Sequence, residues 1–167
     1  IKVEKPFFLK GADCWGWATW KRSWEQFDQD ASCLFSKLKQ KNLFYEFDFD
    51  GSYPYSRMLK HNLIGLNDSW AVRWYASCYI NGSLTLYPNK SLVKNIGQDG
   101  SGTHCGESNA YDVKLTSDAI LLDNIDTSQS LIAREQFKNY FRHLEKSFVK
   151  RLIKKMRGSL SAIGIII

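Results

Sequence analysis

Apolar residues recur at helical spacing in several stretches of the chain. Over 129–156 they fall at Phe137, Tyr140, Phe141, Leu144, Phe148, Val149, Leu152, Ile153 and Met156. Those steps of three and four draw one stripe along a helix, with Lys and Arg filling the opposite face and Gly158 as its stop. Residues 31–41 carry Cys33, Leu34 and Leu38 among lysines, the pattern of an amphipathic surface helix. Residues 20–27 place Trp20, Trp24 and Phe27 on one helical face. A short helix is predicted over Tyr55–Leu63, after the turn chemistry of Gly51-Ser52-Tyr53-Pro54. Another is predicted over Trp70–Ile80. It follows Asn67-Asp68-Ser69, whose short oxygen-bearing side chains can accept from the free N–H groups of a first turn.

Strands are predicted over 3–9, Leu84–Tyr87 and 91–96, the second following the Asn81-Gly82 turn and closing at Pro88. Residues 44–49 alternate aromatic and acidic positions, which on a strand would put Asp48 and Asp50 on one face. Residues 108–130 alternate only weakly and read as an extended segment wrapping the surface.

Four of the six tryptophans fall within residues 15–24, as Trp15, Trp17, Trp20 and Trp24. A Trp ring offers a flat apolar face and one N–H donor, which suits stacking on a sugar ring while hydrogen-bonding a hydroxyl. The alternative is a buried aromatic knot in the core. At 167 residues the chain fits one domain and buries roughly two thirds of its unfolded surface. Its 14% aromatic content is high enough to suggest a binding surface beside the core. The start at Ile1 suggests a portion of something longer, and the first ten residues carry no signal-peptide pattern.

The net charge of +6 sits at one end. Residues 134–157 hold nine Lys/Arg against two Asp/Glu, whereas the rest holds fourteen against fifteen. The body around the tryptophans is therefore nearly neutral, which argues against nucleic acid as a partner. The cysteines, Cys14, Cys33, Cys78 and Cys105, contain no C-x-x-C pair, so a structural zinc site is not expected. Reduced thiols in a cytoplasmic setting are expected.

Three polar groupings carry candidate chemistry. Asn67-Asp68-Ser69-Trp70, with Arg73 and Trp74, sets a carboxylate beside aromatics at a helix start, where desolvation tunes a general base; a plain helix cap is the commoner use. Residues 97–106 hold four glycines with Asp99, Thr103 and His104, a loop whose N–H groups suit an anion, although no nucleotide fingerprint is present. Asp48 and Asp50 form a pair of carboxylates that ends in ordinary turn chemistry.

Taken together, three runs resemble a known family. They are Gly11-Ala12-Asp13-Cys14-Trp15-Gly16-Trp17-Ala18-Thr19-Trp20-Lys21-Arg22, then Asn67-Asp68-Ser69-Trp70-Ala71-Val72-Arg73-Trp74-Tyr75, then the run from Ser91 to Cys105. In this order they resemble the second half of bacterial GT-A-type glycosyltransferases of the family-2-like group that builds surface polysaccharides. More loosely, they are similar to the catalytic core of eukaryotic N-acetylglucosaminyltransferases. The resemblance covers about residues 6–108.

It implies an α/β, GT-A-like fold of which residues 1–130 would be the acceptor-side portion and 131–167 a basic amphipathic helical tail. It also implies inverting transfer of a sugar from a nucleotide-sugar donor to a glycan or lipid-linked acceptor. A divalent cation, Mn²⁺ or Mg²⁺, would be held mainly by a nucleotide-binding half that these residues do not include, so the chain alone should lack efficient catalysis. Asp68 would be the base; Asp13, Trp15, Trp17, Trp70 and Arg73 would contact substrate; His104 would close over the diphosphate or metal. Relatives often carry two adjacent carboxylates before the Trp. Here Ser69 fills the second place, which leaves Asp13 as the alternative base.

The tail has two readings, a helix docked by its apolar stripe or an anchor on the anionic inner face of the plasma membrane. Two rivals to the transferase remain: a carbohydrate-binding module without chemistry, and a partner-binding protein whose tryptophans are simply core.

Overall fold

The computed structural model describes residues 3–97 and 111–145. Helices α2 (Ala31–Gln40), α4 (Tyr55–Leu63) and α5 (Trp70–Ile80) pack on one another around the main core. Leu34, Leu38, Phe47, Leu59, Ala76 and Tyr79 are fully or almost fully buried there. Asp30 caps α2, its carboxylate accepting from the N–H groups of Ser32 and Cys33 at 2.8 and 3.2 Å. Ser69 caps α5, its hydroxyl accepting from the Val72 N–H at 3.4 Å.

Strands β1 (Phe7–Lys10) and β2 (Leu84–Tyr87) pair antiparallel, with Phe7 opposite Tyr87 and Lys10 opposite Leu84. The free edge of β1 is met by residues 129–130. The Ser130 N–H donates to the Phe8 carbonyl at 2.8 Å, and the Lys10 N–H donates to the Gln129 side chain at 3.1 Å.

Four readings of the sequence are corrected. The helix expected over 20–27 is a single turn, α1 (Lys21–Trp24). Residues 44–49 do not form a strand. Helix α3 (Phe44–Phe47) is followed by Phe49 and Asp50, both at positive φ, and so Asp48 and Asp50 do not share a strand face. Asp48 instead accepts from the Ser56 N–H and hydroxyl at 2.6 and 2.5 Å. Residues 91–96 form no strand either; Ser91 makes one isolated bridge to Leu115. The first predicted strand is shifted, running from Phe7 to Lys10. Within 111–130 the chain is extended or turning, as its weak alternation predicts.

Helix α6 (131–145) lies against the body. Ala133 is fully buried beside Phe7 and Leu9, and Phe141 joins the main core. Arg134 fastens it. Its guanidinium donates to the Glu46 carbonyl at 2.9 Å and to Asp50 at 2.8 Å, and lies 4.9 Å from the Phe49 ring centroid. Lys138 adds a second ion pair to Asp50 at 2.8 Å. The described part of α6 thus buries its stripe on the body. The rest of the predicted helix lies outside the described residues.

Candidate functional site

The Trp-rich segment leaves β1 through Gly11 and feeds two separate surfaces. Gly11 has φ +105°, and a Cβ placed on it would lie 2.3 Å from the Tyr75 ring. The segment can cross Tyr75 only as glycine. Beyond it, Asp13 accepts from the Cys14 N–H at 2.7 Å. Gly16, at φ +58°, then turns Trp15 and Trp17 to different neighbours.

Trp15 goes to a cavity of about 470 Å³, within the usual range for small-ligand sites. Trp15 meets Tyr111 edge-on at 5.3 Å, and both rings line it. The cavity is lined by Asp13, Cys14 and Trp15 from the first motif and by Ser69, Ala71 and Val72 from the second. Its floor and walls are aromatic: Phe49, Tyr53, Tyr55, Tyr75 and Tyr87, with Phe137, Tyr140 and Phe141 from α6. Burial, with Tyr53 and Asp13 nearby, holds the Tyr55 hydroxyl well above the usual phenol range. Burial, then Asp13 and Cys14, does the same for Tyr87. Both therefore remain protonated donors. Burial, and next Asp13, also pushes the Cys14 thiol up, away from the thiolate.

Trp17 goes instead to a Trp face. It lies 5.7 Å from Trp70 and 5.9 Å from both Trp24 and Trp74, and Phe27 stacks on Trp24 at 4.8 Å. Trp74 is the buried base of this group at 3% exposure, whereas Trp17, Trp24 and Trp70 remain about two fifths exposed. Trp20 stands out at 68%, with the Arg22 guanidinium 5.1 Å from its ring. The segment is thus neither wholly core nor wholly surface.

Helix α5 serves both places. Trp70, Arg73 and Trp74 face the Trp group and the 28–29 loop; Ser69, Val72 and Tyr75 face the cavity. Asn67 sets its start, receiving a hydrogen bond from Asn62 at 3.1 Å and donating to the Met58 carbonyl at 3.1 Å.

Asp68 does not line the cavity. Its side chain is 94% exposed, points away from the cavity lining and pairs with Arg73 at 3.0 Å. The sequence motifs bring Asp13, Trp15 and the start of α5 together, and they set Trp17, Trp70 and Arg73 apart on the other face. His104 and its glycine loop lie outside the described residues. The sequence reading missed the tyrosine wall, and it named Trp74 beside Asp68 without foreseeing that it is the buried base of the Trp group. The eight tyrosines in the chain were the available signal for the wall. Among the described residues, no group of three His, Cys, Asp or Glu side chains is placed to hold a metal. Asp50 is occupied by Arg134 and Lys138.

No protein-family model, curated protein or solved structure matches this chain.

Proposed function

We propose that these residues form the acceptor-side portion of an inverting, GT-A-like glycosyltransferase acting on a glycan or lipid-linked acceptor. One observation carries the reading. Two motifs that share the resemblance, more than fifty residues apart in sequence, converge on one aromatic cavity with a carboxylate at its edge. Such walls suit the C–H faces of a sugar, and protonated tyrosines suit its hydroxyls.

Asp13, itself exposed, is the carboxylate that lines the cavity, and on that placement it is our choice for the base. One of its oxygens is held by the Cys14 N–H, and the other is left to accept the acceptor hydroxyl's proton. As the acceptor's hydroxyl oxygen gives up that proton and attacks the anomeric carbon, the bond to the nucleoside diphosphate breaks and the diphosphate leaves. Asp68, paired with Arg73, is proposed as a positioning residue at the start of α5. The reading assigns the Mn²⁺ or Mg²⁺ and the donor nucleotide to polypeptide outside these 167 residues; the metal's chemistry there is neutralisation of the leaving diphosphate.

The test is sugar transfer from a panel of UDP- and GDP-sugars with Mn²⁺, by a protein joining this chain to a nucleotide-binding half. Metal-dependent turnover that falls at least about a hundredfold in Asp13→Asn, and much less in Asp68→Asn, supports the assignment. The exposed Trp face favours a second reading, a carbohydrate-binding module. Absence of turnover with every donor tried, alongside retained oligosaccharide binding by the chain, selects it.

A further inference from the structure

The cavity also indicates the charge of what enters it. Among the described residues its charged lining groups are Lys10 and Asp13. Lys10 is turned elsewhere: its ammonium lies 3.5 Å from a Glu46 carboxylate oxygen and 4.2 Å from the Tyr79 ring centroid. The remaining charge is the Asp13 carboxylate, which lines the cavity at its solvent-exposed edge. An anion placed there meets a like charge and, among the described residues, no unpaired cation, an arrangement less favourable than a neutral hydroxyl. The aromatic walls favour a ring with an apolar face or substituent.

We infer that the cavity accepts a neutral saccharide unit carrying an apolar substituent, such as an N-acetylhexosamine or a 6-deoxyhexose, and rejects uronic acids and sugar phosphates. This rests on the transferase reading only in taking the ligand to be a saccharide.

The experiment is a titration of the 167-residue chain with methyl glycosides, read by Trp and Tyr fluorescence and by saturation-transfer NMR. The panel pairs N-acetylhexosamines and 6-deoxyhexoses with hexuronic acids and hexose 6-phosphates. Neutral members should bind about fivefold more tightly than the charged ones. Asp13→Asn should narrow that gap by raising uronate affinity. Uronates or phosphates binding as well as neutral sugars to the unaltered chain would overturn the inference while leaving a saccharide site in place. Binding of no saccharide at all overturns both the inference and the reading beneath it. Because the decisive comparison uses the unaltered chain, it does not depend on the variant folding.

Discussion

Trp15 and Trp17 are neighbours but one in the chain, yet they belong to different sites. Trp15 stands edge-on to Tyr111 at the cavity, and Trp17 lies 5.9 Å from Trp74 on the Trp face. Gly16 divides them. Its φ of +58° is unfavourable for any residue with a Cβ, and a Cβ there would lie 2.3 Å from a Val93 methyl. Val93 is 42% exposed and has room to give way. Gly16→Ala should therefore cost about 1–2 kcal/mol from backbone strain, without unfolding the chain. Saccharide affinity at the cavity should fall with it, because Trp15 is re-aimed. Urea denaturation beside the fluorescence titration checks both.

Gly11→Ala should be more damaging. The Tyr75 ring it would strike is buried, and the Tyr75 hydroxyl donates to the Phe47 carbonyl at 3.0 Å. Strained backbone and overpacking then combine, to about 2–5 kcal/mol. The shift in denaturation midpoint measures it.

The Trp face gives a graded pair. Trp74→Ala removes a ring that is 3% exposed and should cost about 3–5 kcal/mol. Trp17→Ala removes one that is 37% exposed and should cost about 1–2 kcal/mol. Equal losses in thermal and urea unfolding would mean that Trp17 is core after all.

Asp50 sets the acid limb of stability. Burial alone would push its carboxyl up, but hydrogen bonds from Lys138 and Arg134 outweigh that and hold it below the usual carboxylate value. Its contribution is complete above the unfolded value near ~3.9 and is lost as pH falls through the lower folded value. Asp48 acts in the opposite sense. Burial raises its carboxyl against the bonds from Ser56, so stability gains as pH falls from its folded value toward the unfolded one. Asp50→Asn should cost about 2–4 kcal/mol at neutral pH, because it leaves the buried Arg134 short of its partner. The same change should flatten the acid limb in urea midpoints taken from about pH 6 to about pH 3.

Much of the helical layer was legible because each helix announces itself locally. Tyr55–Leu63 and Trp70–Ile80 fall where their patterns place them, the second capped by Ser69, and Leu84–Tyr87 follows from the Asn-Gly turn before it. Phe44–Phe47 was not legible. Alternation of period two is a strand signal, and only the packing of Phe47 against Tyr75 and Tyr79 overrides it. Residues 91–96 failed for the converse reason: among the described residues their strand-like composition finds only one bridging partner. At the site, the motifs located Asp13, Trp15 and the start of α5. They could not show that Trp70 and Asp68 fall on the other side of that helix, since this depends on which face is buried. Nor could they gather tyrosines from positions 53, 55, 75, 87, 111 and 140 into one wall, a purely tertiary event.

The clasp of Arg134 on Glu46 and Asp50 has a practical consequence for anyone trimming this chain. The stretch that looks like a detachable cationic tail supplies Phe137, Tyr140 and Phe141 to the cavity. Cutting after residue 130 would remove a wall and leave an open trough where Phe49 and Tyr55 meet water. A shortened protein that bound nothing would then report on the cut, and not on the chemistry of Asp13.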